Sequence, residues 1–347
     1  MHISHLQRRR SQPCTSLFAP TGAMSCCRCC APLEAECGLH PAAALDFALD
    51  GQPWKRAFGT ASGLGACLPP VAFLAVRAVL FVFWLAVMIW SMVHWVNSSA
   101  EYQISAPRTN SSSPCVADTY TCPDGETVQR AADCSVPVCV IEYAYGFWFT
   151  QLTHWTLLFE LVYLGFAAST TAMAQFGRVP DGTGRSGTPW FVSVTWALQP
   201  AVLVGSFLVF AMYWALLYDG GAVEAISVVT HGVNFGVMLV DFAICRQPFY
   251  LAHVYMPLAF ALLYLLFSAI YYAAGGVYHK DLTSRYIYSV IDWSDPSSAL
   301  KLGGAIMIIA IPTIYALFFM LYLVLRHRCF VGRAAAPVGS AVGAGSA

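Results

Sequence analysis

The chain has 347 residues, of which 58% are hydrophobic, 14% aromatic and only 10% charged, and its formal net charge is zero. Soluble domains carry roughly 25% charged residues, so a chain this long and this poor in charge cannot cover a water-exposed surface. The zero net charge also provides no basic field for nucleic acid, which excludes a nucleic-acid partner. The composition therefore predicts an integral membrane protein.

The first 68 residues are predicted to form an irregular cytosolic segment. No cleavable signal peptide is visible, because the first twenty residues hold three arginines and no apolar core of the needed length. The segment contains four clustered cysteines, and Cys329 follows the last apolar run; the cluster reads Cys26-Cys27-Arg28-Cys29-Cys30. Cysteines beside basic residues suggest S-acylation. A zinc site is the alternative, although the cysteines lack the usual spacing of zinc knuckles.

Six apolar runs are long enough to cross a bilayer, which takes about 20 mostly apolar residues. They lie at residues 71–95, 145–170, 191–218, 223–245, 250–273 and 303–325, within a membrane domain of residues 69–328. The runs exceed strand length and lack strict alternation, which predicts an all-α polytopic helical bundle. Lys and Arg near the span ends number twelve on the side of the termini and five on the other side, so both termini should be cytosolic. Residues 329–347 are expected to be a disordered tail.

The loop at residues 96–142, between the first two runs, has the features of an extracytosolic segment. Its two Asn-x-Ser sequons make Asn97 and Asn110 glycosylation candidates, and Asn110 is favoured because Asn97 lies close to the membrane. The loop also holds four cysteines, which are Cys115, Cys122, Cys134 and Cys139. Sequons and paired cysteines belong to an oxidising compartment, in agreement with the charge count. Three pairings are open, and free thiols are the alternative.

Polar side chains recur in the second and fourth runs at relative positions 0, 3 and 10, which share one helix face with an apolar residue at position 7. They are Thr150, Thr153 and Glu160 in the second run, and His231, Asn234 and Asp241 in the fourth. Ionisable residues inside a span are costly and are candidates for function. The two stripes therefore predict a polar site inside the bundle.

Thr153 and His231 are each the eighth residue after the start of their run, roughly 12 Å from the outer boundary. We expect them to meet, with His231 as the base that takes the proton of a Thr153 nucleophile. Asn234 or Asp241 could orient the imidazole, although Asp241 lies about 15 Å further along the helix. Neutralised by burial, Asp241 and Glu160 could instead serve a separate site near the cytosolic end.

Several other interpretations remain open. Intramembrane Thr, Asn and His often only bridge helices through hydrogen bonds. Haem ligation by His94, His154, His231 and His253 is disfavoured, because His253 has no clear partner at its depth. A metal site from His231, Asp241, His253 and Glu160 has equally little support, and no span is visibly broken as in many transporters. The sequence therefore predicts no cofactor and no metal.

Four segments carry a resemblance to a known family. They are Tyr213 to Tyr218, Thr230 to Asn234 with Asp241, Gly275 to Tyr278, and Tyr286 to Trp293. In this order they resemble the rolling stone-like family of membrane proteins, over about half of the chain. The four-cysteine loop and the N-terminal segment lie outside the resemblance.

The wider relatives look like the androgen-induced type of membrane protein, which implies six spans with both ends cytosolic. Some of these relatives are threonine hydrolases that cleave fatty acid esters of hydroxy fatty acids. Their Leu-Thr nucleophile pair is matched by Leu152-Thr153, and their histidine ten residues before an acidic residue is matched by His231 and Asp241. Two positions depart from that pattern, since Asp241 replaces a glutamate and His154 stands where an apolar residue is expected.

The resemblance implies a threonine-dependent lipid ester hydrolase with a water-poor pocket in the outer half of the membrane. The family's namesake is tied to myoblast fusion, so the alternative is a non-catalytic protein of adhesion, fusion or signalling. The outer loop from Gly275 to Lys301, with Tyr286, Tyr288, Asp292 and Trp293, suits a folded cap or a partner surface as well as a substrate lid. Membrane lipid is the expected partner, in the plasma membrane or the endoplasmic reticulum, and the oligomeric state is open.

Overall fold

The computed structural model describes residues 53–103, 119–129, 138–179, 188–218 and 220–334, with side chains up to residue 325. Several predicted features lie outside these residues: the cysteine cluster at 26–30, Cys115, Cys134, Asn110, the Cys329 side chain and most of the tail.

Among the described residues, six helices are long and apolar enough to cross a membrane, which confirms the predicted fold class. They are Pro70–Val96, Leu152–Phe176, Trp190–Leu217, Ala225–Ile244, Leu251–Ala273 and Pro296–Leu325, hereafter the first to sixth spans. The cytosolic placement of the termini stays a prediction.

Three of the spans contain a π-helical segment. Within the described residues, the helices follow in the order α1 Trp54–Gly59, a 3-10 turn Gly63–Gly65, α2 Pro70–Val96, α3 Tyr145–Trp148, α4 Leu152–Phe176, α5 Trp190–Met212 with π-helix Tyr213–Leu217, α6 Ala225–Val228, π-helix Val229–Val233, α7 Asn234–Ile244, a 3-10 turn Leu251–Val254, α8 Tyr255–Ala273, α9 Pro296–Ala305, π-helix Ile306–Ala310 and α10 Ile311–Ala334. π-helical turns are rare and often occur at functional sites.

The second span begins at Leu152 rather than at Tyr145, because the residues before it form a separate turn. The carbonyl oxygens of this turn bind side chains of the following helix: Trp148 contacts His154 Nδ1 at 2.7 Å, and Phe149 accepts from Trp155 Nε1 at 2.6 Å. Apolar run length could not reveal such a break. The equal depth counted from Tyr145 is therefore wrong for Thr153, which lies in the first turn of its helix.

The loop after the first span contains two small antiparallel sheets. Strand β1, Ser99–Gln103, pairs with β4, Val138–Glu142, and β2, Thr119–Thr121, pairs with β3, Thr127–Gln129. A disulfide between Cys122 and Cys139 ties the second sheet to the first. Asn97 ends the first span, where its side-chain amide donates to the Val93 carbonyl at 2.9 Å; its glycosylation stays a prediction.

Removing this disulfide should destabilise the loop. Cys122→Ser opens a link across 17 residues, and a closed loop of this length contributes about 3 kcal/mol. We expect Cys122→Ser, Cys139→Ser and the double variant to lower the thermal unfolding temperature equally, because each removes the same bond. Cys67→Ser is the matched control, since Cys67 is an exposed free thiol. Additive losses in the double variant would contradict this assignment.

Candidate functional site

Two side-chain contacts with the same sequence offset join the second and fourth spans. Thr153 Oγ1 lies 3.2 Å from His231 Nε2, and the Tyr163 hydroxyl donates to Asp241 Oδ2 at 2.5 Å. The partners of both pairs are 78 residues apart in sequence. The two contacts therefore advance in the same direction along both helices, by ten residues in each, or about 15 Å in an α-helix. The structure brings together the threonine and the histidine that the spacing singled out.

The hydrogen bonds of His231 define which ring nitrogen carries the proton. Nδ1 lies 3.0 Å from the Ser227 carbonyl oxygen and 3.1 Å from Thr230 Oγ1. A carbonyl can only accept a hydrogen bond, so Nδ1 must donate and Nε2 is left with its lone pair. That lone pair faces the Thr153 hydroxyl, which is the arrangement a general base requires.

π-helical turns build both sides of the His231 environment. His231 lies in the π-helix Val229–Val233, and Tyr213 begins the π-helix that ends the third span. Their rings stack with centroids 3.7 Å apart and planes inclined by 14°. The stacking restricts rotation of the imidazole and keeps Nε2 directed at Thr153.

Neither residue expected to orient the imidazole does so. The Asn234 amide donates to the Thr230 carbonyl at 3.1 Å, and Asp241 takes part in a separate network deeper in the bundle. The backbone of Ser227, one turn before His231, orients the ring instead. A backbone acceptor leaves no signal in the sequence, which is why sequence analysis missed it. Thr150 is not part of the predicted polar stripe either, because it precedes the helix and donates to the Phe147 carbonyl at 2.8 Å.

The Thr153–His231 pair opens into a cavity of about 610 Å³ on the side of the four-stranded loop. Tyr213, His154 and His279 contribute to its walls. Its charged lining groups are Lys280 and Glu224, and Glu224 Oε2 lies 3.0 Å from His94 Nε2. The His279 ring packs against aromatic rings, and burial, followed by the nearby Lys280, lowers its pKa to about 4. The cavity is therefore mostly uncharged around the Thr153 hydroxyl.

His154, the residue that departs from the family pattern, forms part of the cavity wall. Its ring stacks on Trp148 with centroids 4.3 Å apart and meets Trp95 edge-on. The same ring also lines a second, mainly apolar cleft of about 490 Å³, with Trp155, Phe267 and other aromatic residues. His154 therefore separates a polar cavity from an apolar cleft.

Tyr288, on the loop before the sixth span, lies beside the nucleophile candidate. Its hydroxyl accepts the Leu152 N–H at 3.0 Å and also hydrogen-bonds to Thr153 and Tyr264. Burial raises the pKa of Tyr288 to about 12, so its hydroxyl keeps its proton at neutral pH. The sequence placed Tyr288 in an outer loop that suits a cap, a partner surface or a substrate lid, and nothing in the sequence connects this loop to Thr153.

Asp241 lies in a buried polar network with a partner from the first span. Arg77 of the first span donates to Asp241, from Nε to Oδ1 at 2.9 Å and from Nη2 to Oδ2 at 3.2 Å. Both side chains are fully buried, and Tyr163 and Thr171 complete the network. Asp241 therefore has a cationic partner within the bundle, in a network separate from the Thr153–His231 pair. Glu160, one turn from Tyr163, is also fully buried but lies outside this network.

The alternative metal and haem sites gain no support from the positions of the side chains. Among the described residues, no three His, Cys, Asp or Glu side chains are grouped so that they could hold a metal ion. His253 packs against Trp196 and Tyr250, away from His231.

Comparison with known proteins gives one consistent result. The family model described as "Protein rolling stone" matches residues 133–345, which is more than half of the chain. This chain belongs to the rolling stone family. Protein rolling stone of Drosophila melanogaster is 26% identical over 211 residues, which cover 56% of this chain and 74% of the fly protein. No solved structure matches.

The part of the chain matched by the rolling stone family contains Thr153, His231 and Tyr288, together with the second to sixth spans. The first span lies before the match, so Asp241 takes its Arg77 partner from outside it.

Proposed function

We propose that this rolling stone family member hydrolyses a lipid ester in the membrane, with Thr153 as the nucleophile and His231 as the general base. The observation that carries the proposal is the contact between Thr153 Oγ1 and the unprotonated Nε2 of His231, at 3.2 Å. A threonine hydroxyl is a weak nucleophile until an adjacent base takes its proton, and this geometry supplies that base.

The reaction would proceed in two steps. Thr153 Oγ1 attacks the ester carbonyl carbon while His231 Nε2 takes the hydroxyl proton; the tetrahedral intermediate then collapses, and His231 returns the proton to the leaving alcohol. Water next attacks the acyl-threonine, again losing a proton to His231, which gives it back to Thr153 as the fatty acid leaves. The Tyr288 hydroxyl lies where it can donate to the oxyanion of both intermediates.

The two spaces on either side of His154 support an amphipathic ester as substrate. The polar cavity around Thr153 has room for the ester and its polar group, and the aromatic-lined cleft suits an apolar chain. An ester whose polar and apolar parts occupy adjoining spaces would present its carbonyl at the boundary between them, near Thr153.

Covalent labelling with a fluorophosphonate probe tests the proposal. We expect the purified wild-type protein to be labelled on Thr153, and labelling to disappear in Thr153→Ala and fall by about 10²–10⁴-fold in His231→Gln, the range for a general base. Mass spectrometry of the labelled peptide identifies the modified residue.

Two variants control for folding and for threonine chemistry. Thr153→Ser keeps a hydroxyl at the same position and should keep labelling. Thr156→Ala removes a buried threonine one turn away, whose hydroxyl only donates to the Leu152 carbonyl, and should also keep labelling. A wild-type protein that resists the probe, or labelling that survives Thr153→Ala, would contradict the hydrolase and favour an adhesion or fusion role.

A further inference from the structure

Two buried polar side chains near the centre of the bundle have acceptor atoms without partners. Glu160 and Asn234 are both 0% exposed. Among the described residues, neither oxygen of Glu160 nor Oδ1 of Asn234 has a hydrogen-bond partner. Buried polar groups are rarely left unpaired, and an ionised carboxylate without a partner is among the costliest groups in a membrane interior.

Glu160 and Asn234 both lie between the two contacts that join the second and fourth spans, Thr153–His231 and Tyr163–Asp241. Both contacts have a sequence offset of 78 residues, and the same offset applied between them aligns Glu160 with Met238, one helical turn after Asn234. Helical side chains lean toward the N-terminus of their helix, so the long Glu160 side chain extends back toward the level of Asn234. Two acceptors at one level can bond only if one of them carries a proton.

The charges on the neighbouring helices leave Glu160 without a counter-ion. Arg77 on the first span is engaged by Asp241 of the fourth, and His231 is engaged by Thr153 and Ser227. The third span, Trp190–Leu217, contains no charged residue. A carboxyl group in this position must gain its neutrality from a bound proton or a bound cation.

We propose that Glu160 is a proton-binding site, a neutral carboxylic acid whose O–H donates to Asn234 Oδ1 across the interface of the second and fourth spans. The bond satisfies both unpartnered side chains at once. It also ties the second span to the helical turn that follows His231, because the Asn234 amide donates to the Thr230 carbonyl.

A protonated carboxyl in apolar surroundings is a site of modification by hydrophobic carbodiimides. The acid transfers its proton to one carbodiimide nitrogen while its oxygen adds to the central carbon, and the acyl group then migrates to nitrogen as a stable N-acylurea. The reaction needs no other reagent, and ionised exposed carboxylates react poorly. Among the carboxyl groups that the structure describes, the proposal assigns carbodiimide reactivity to Glu160, independently of any hydrolase activity.

The experiment combines labelling and infrared spectroscopy on the full chain in detergent at neutral pH. We expect dicyclohexylcarbodiimide to modify the peptide that contains Glu160, and the wild type to show a protonated-carboxyl stretching band. Both signals should be absent from Glu160→Gln. Asn234→Leu should shift the band to higher frequency, because the carboxyl loses its acceptor. Glu142→Gln, which changes an exposed carboxylate beside the second span, should leave both signals unchanged.

The wild-type measurements stand even if Glu160→Gln fails to fold. Absence of both the adduct and the band would overturn the proposal, as would a band that persists in Glu160→Gln. Sodium or potassium chloride that protects Glu160 from the carbodiimide would also overturn it, because the group would then hold a metal cation instead of a proton.

Discussion

Asp241→Asn should destabilise the protein by about 3–5 kcal/mol, the range for breaking a buried ion pair by removing one partner. The change keeps the size of the side chain but removes the charge that neutralises Arg77. The guanidinium is fully buried and donates to both carboxylate oxygens, and its remaining donors reach Thr171 and the Ala167 carbonyl. These neutral acceptors cannot balance a full positive charge. Denaturant unfolding in mild detergent, followed by tryptophan fluorescence, measures the loss.

A double-mutant cycle separates the charge from the packing. Arg77→Met with Asp241→Leu removes both charges and should recover most of the stability lost in either single variant, because apolar residues of similar volume replace buried pairs at little cost. Glu224→Gln breaks the exposed pair with His94 and is the control, with an expected loss of at most about 1 kcal/mol. If Asp241→Asn cost no more than this control, Arg77 and Asp241 would not form the pair described.

Tyr288→Phe should lower turnover of a lipid ester by about 10²–10³-fold, the effect of removing one oxyanion donor. The phenyl ring keeps the packing of the loop while the hydroxyl beside Thr153 and the Leu152 N–H disappears. Because the donor acts on charge that develops during the reaction, kcat should fall while KM changes little. Steady-state kinetics with a long-chain ester in detergent micelles separates the two constants.

Tyr286→Phe provides the matched control for this variant. Tyr286 lies two residues away on the same loop and does not line the cavity. Its ring packs against Tyr278, which does line it. Equal activity of the two phenylalanine variants would remove Tyr288 from the mechanism, and a rise in KM alone would make it a binding residue.

The sequence was sufficient for the six spans, and it singled out the central pair although the depth counted for Thr153 was wrong. Apolar run length predicted every span, and helical spacing put Thr153 and His231 forward as partners. Their contact requires two helices that run in the same direction with matching positions. Equal spacing of the polar residues in the two stripes predicts such an arrangement. The start of the second span could not be predicted in this way, because the break before Leu152 comes from side chains that bind backbone carbonyls.

The residues that sequence analysis missed act through long-range or backbone contacts. Arg77 meets Asp241 across 164 residues, and Tyr288 meets Leu152 across 136. Periodicity within one helix contains no information about such partners. The Ser227 group that orients His231 is a backbone carbonyl, which every residue type has. The identity of the residue at position 227 therefore could not indicate this contact. Glu160 was recognised as unusual, but its lack of a counter-ion became visible only when Arg77 was found with Asp241.

The π-helical turn at Val229–Val233 also separates the fourth span into two parts with different rotational phase. Each residue of an α-helix rotates the chain by about 100°, so one residue gained or lost within the turn would rotate everything before it relative to everything after it. A deletion there would swing the segment before the turn around the helix axis and leave Asp241 facing Arg77. A change of length within this turn would therefore re-orient the segment before it without disturbing the half of the span that holds the bundle together.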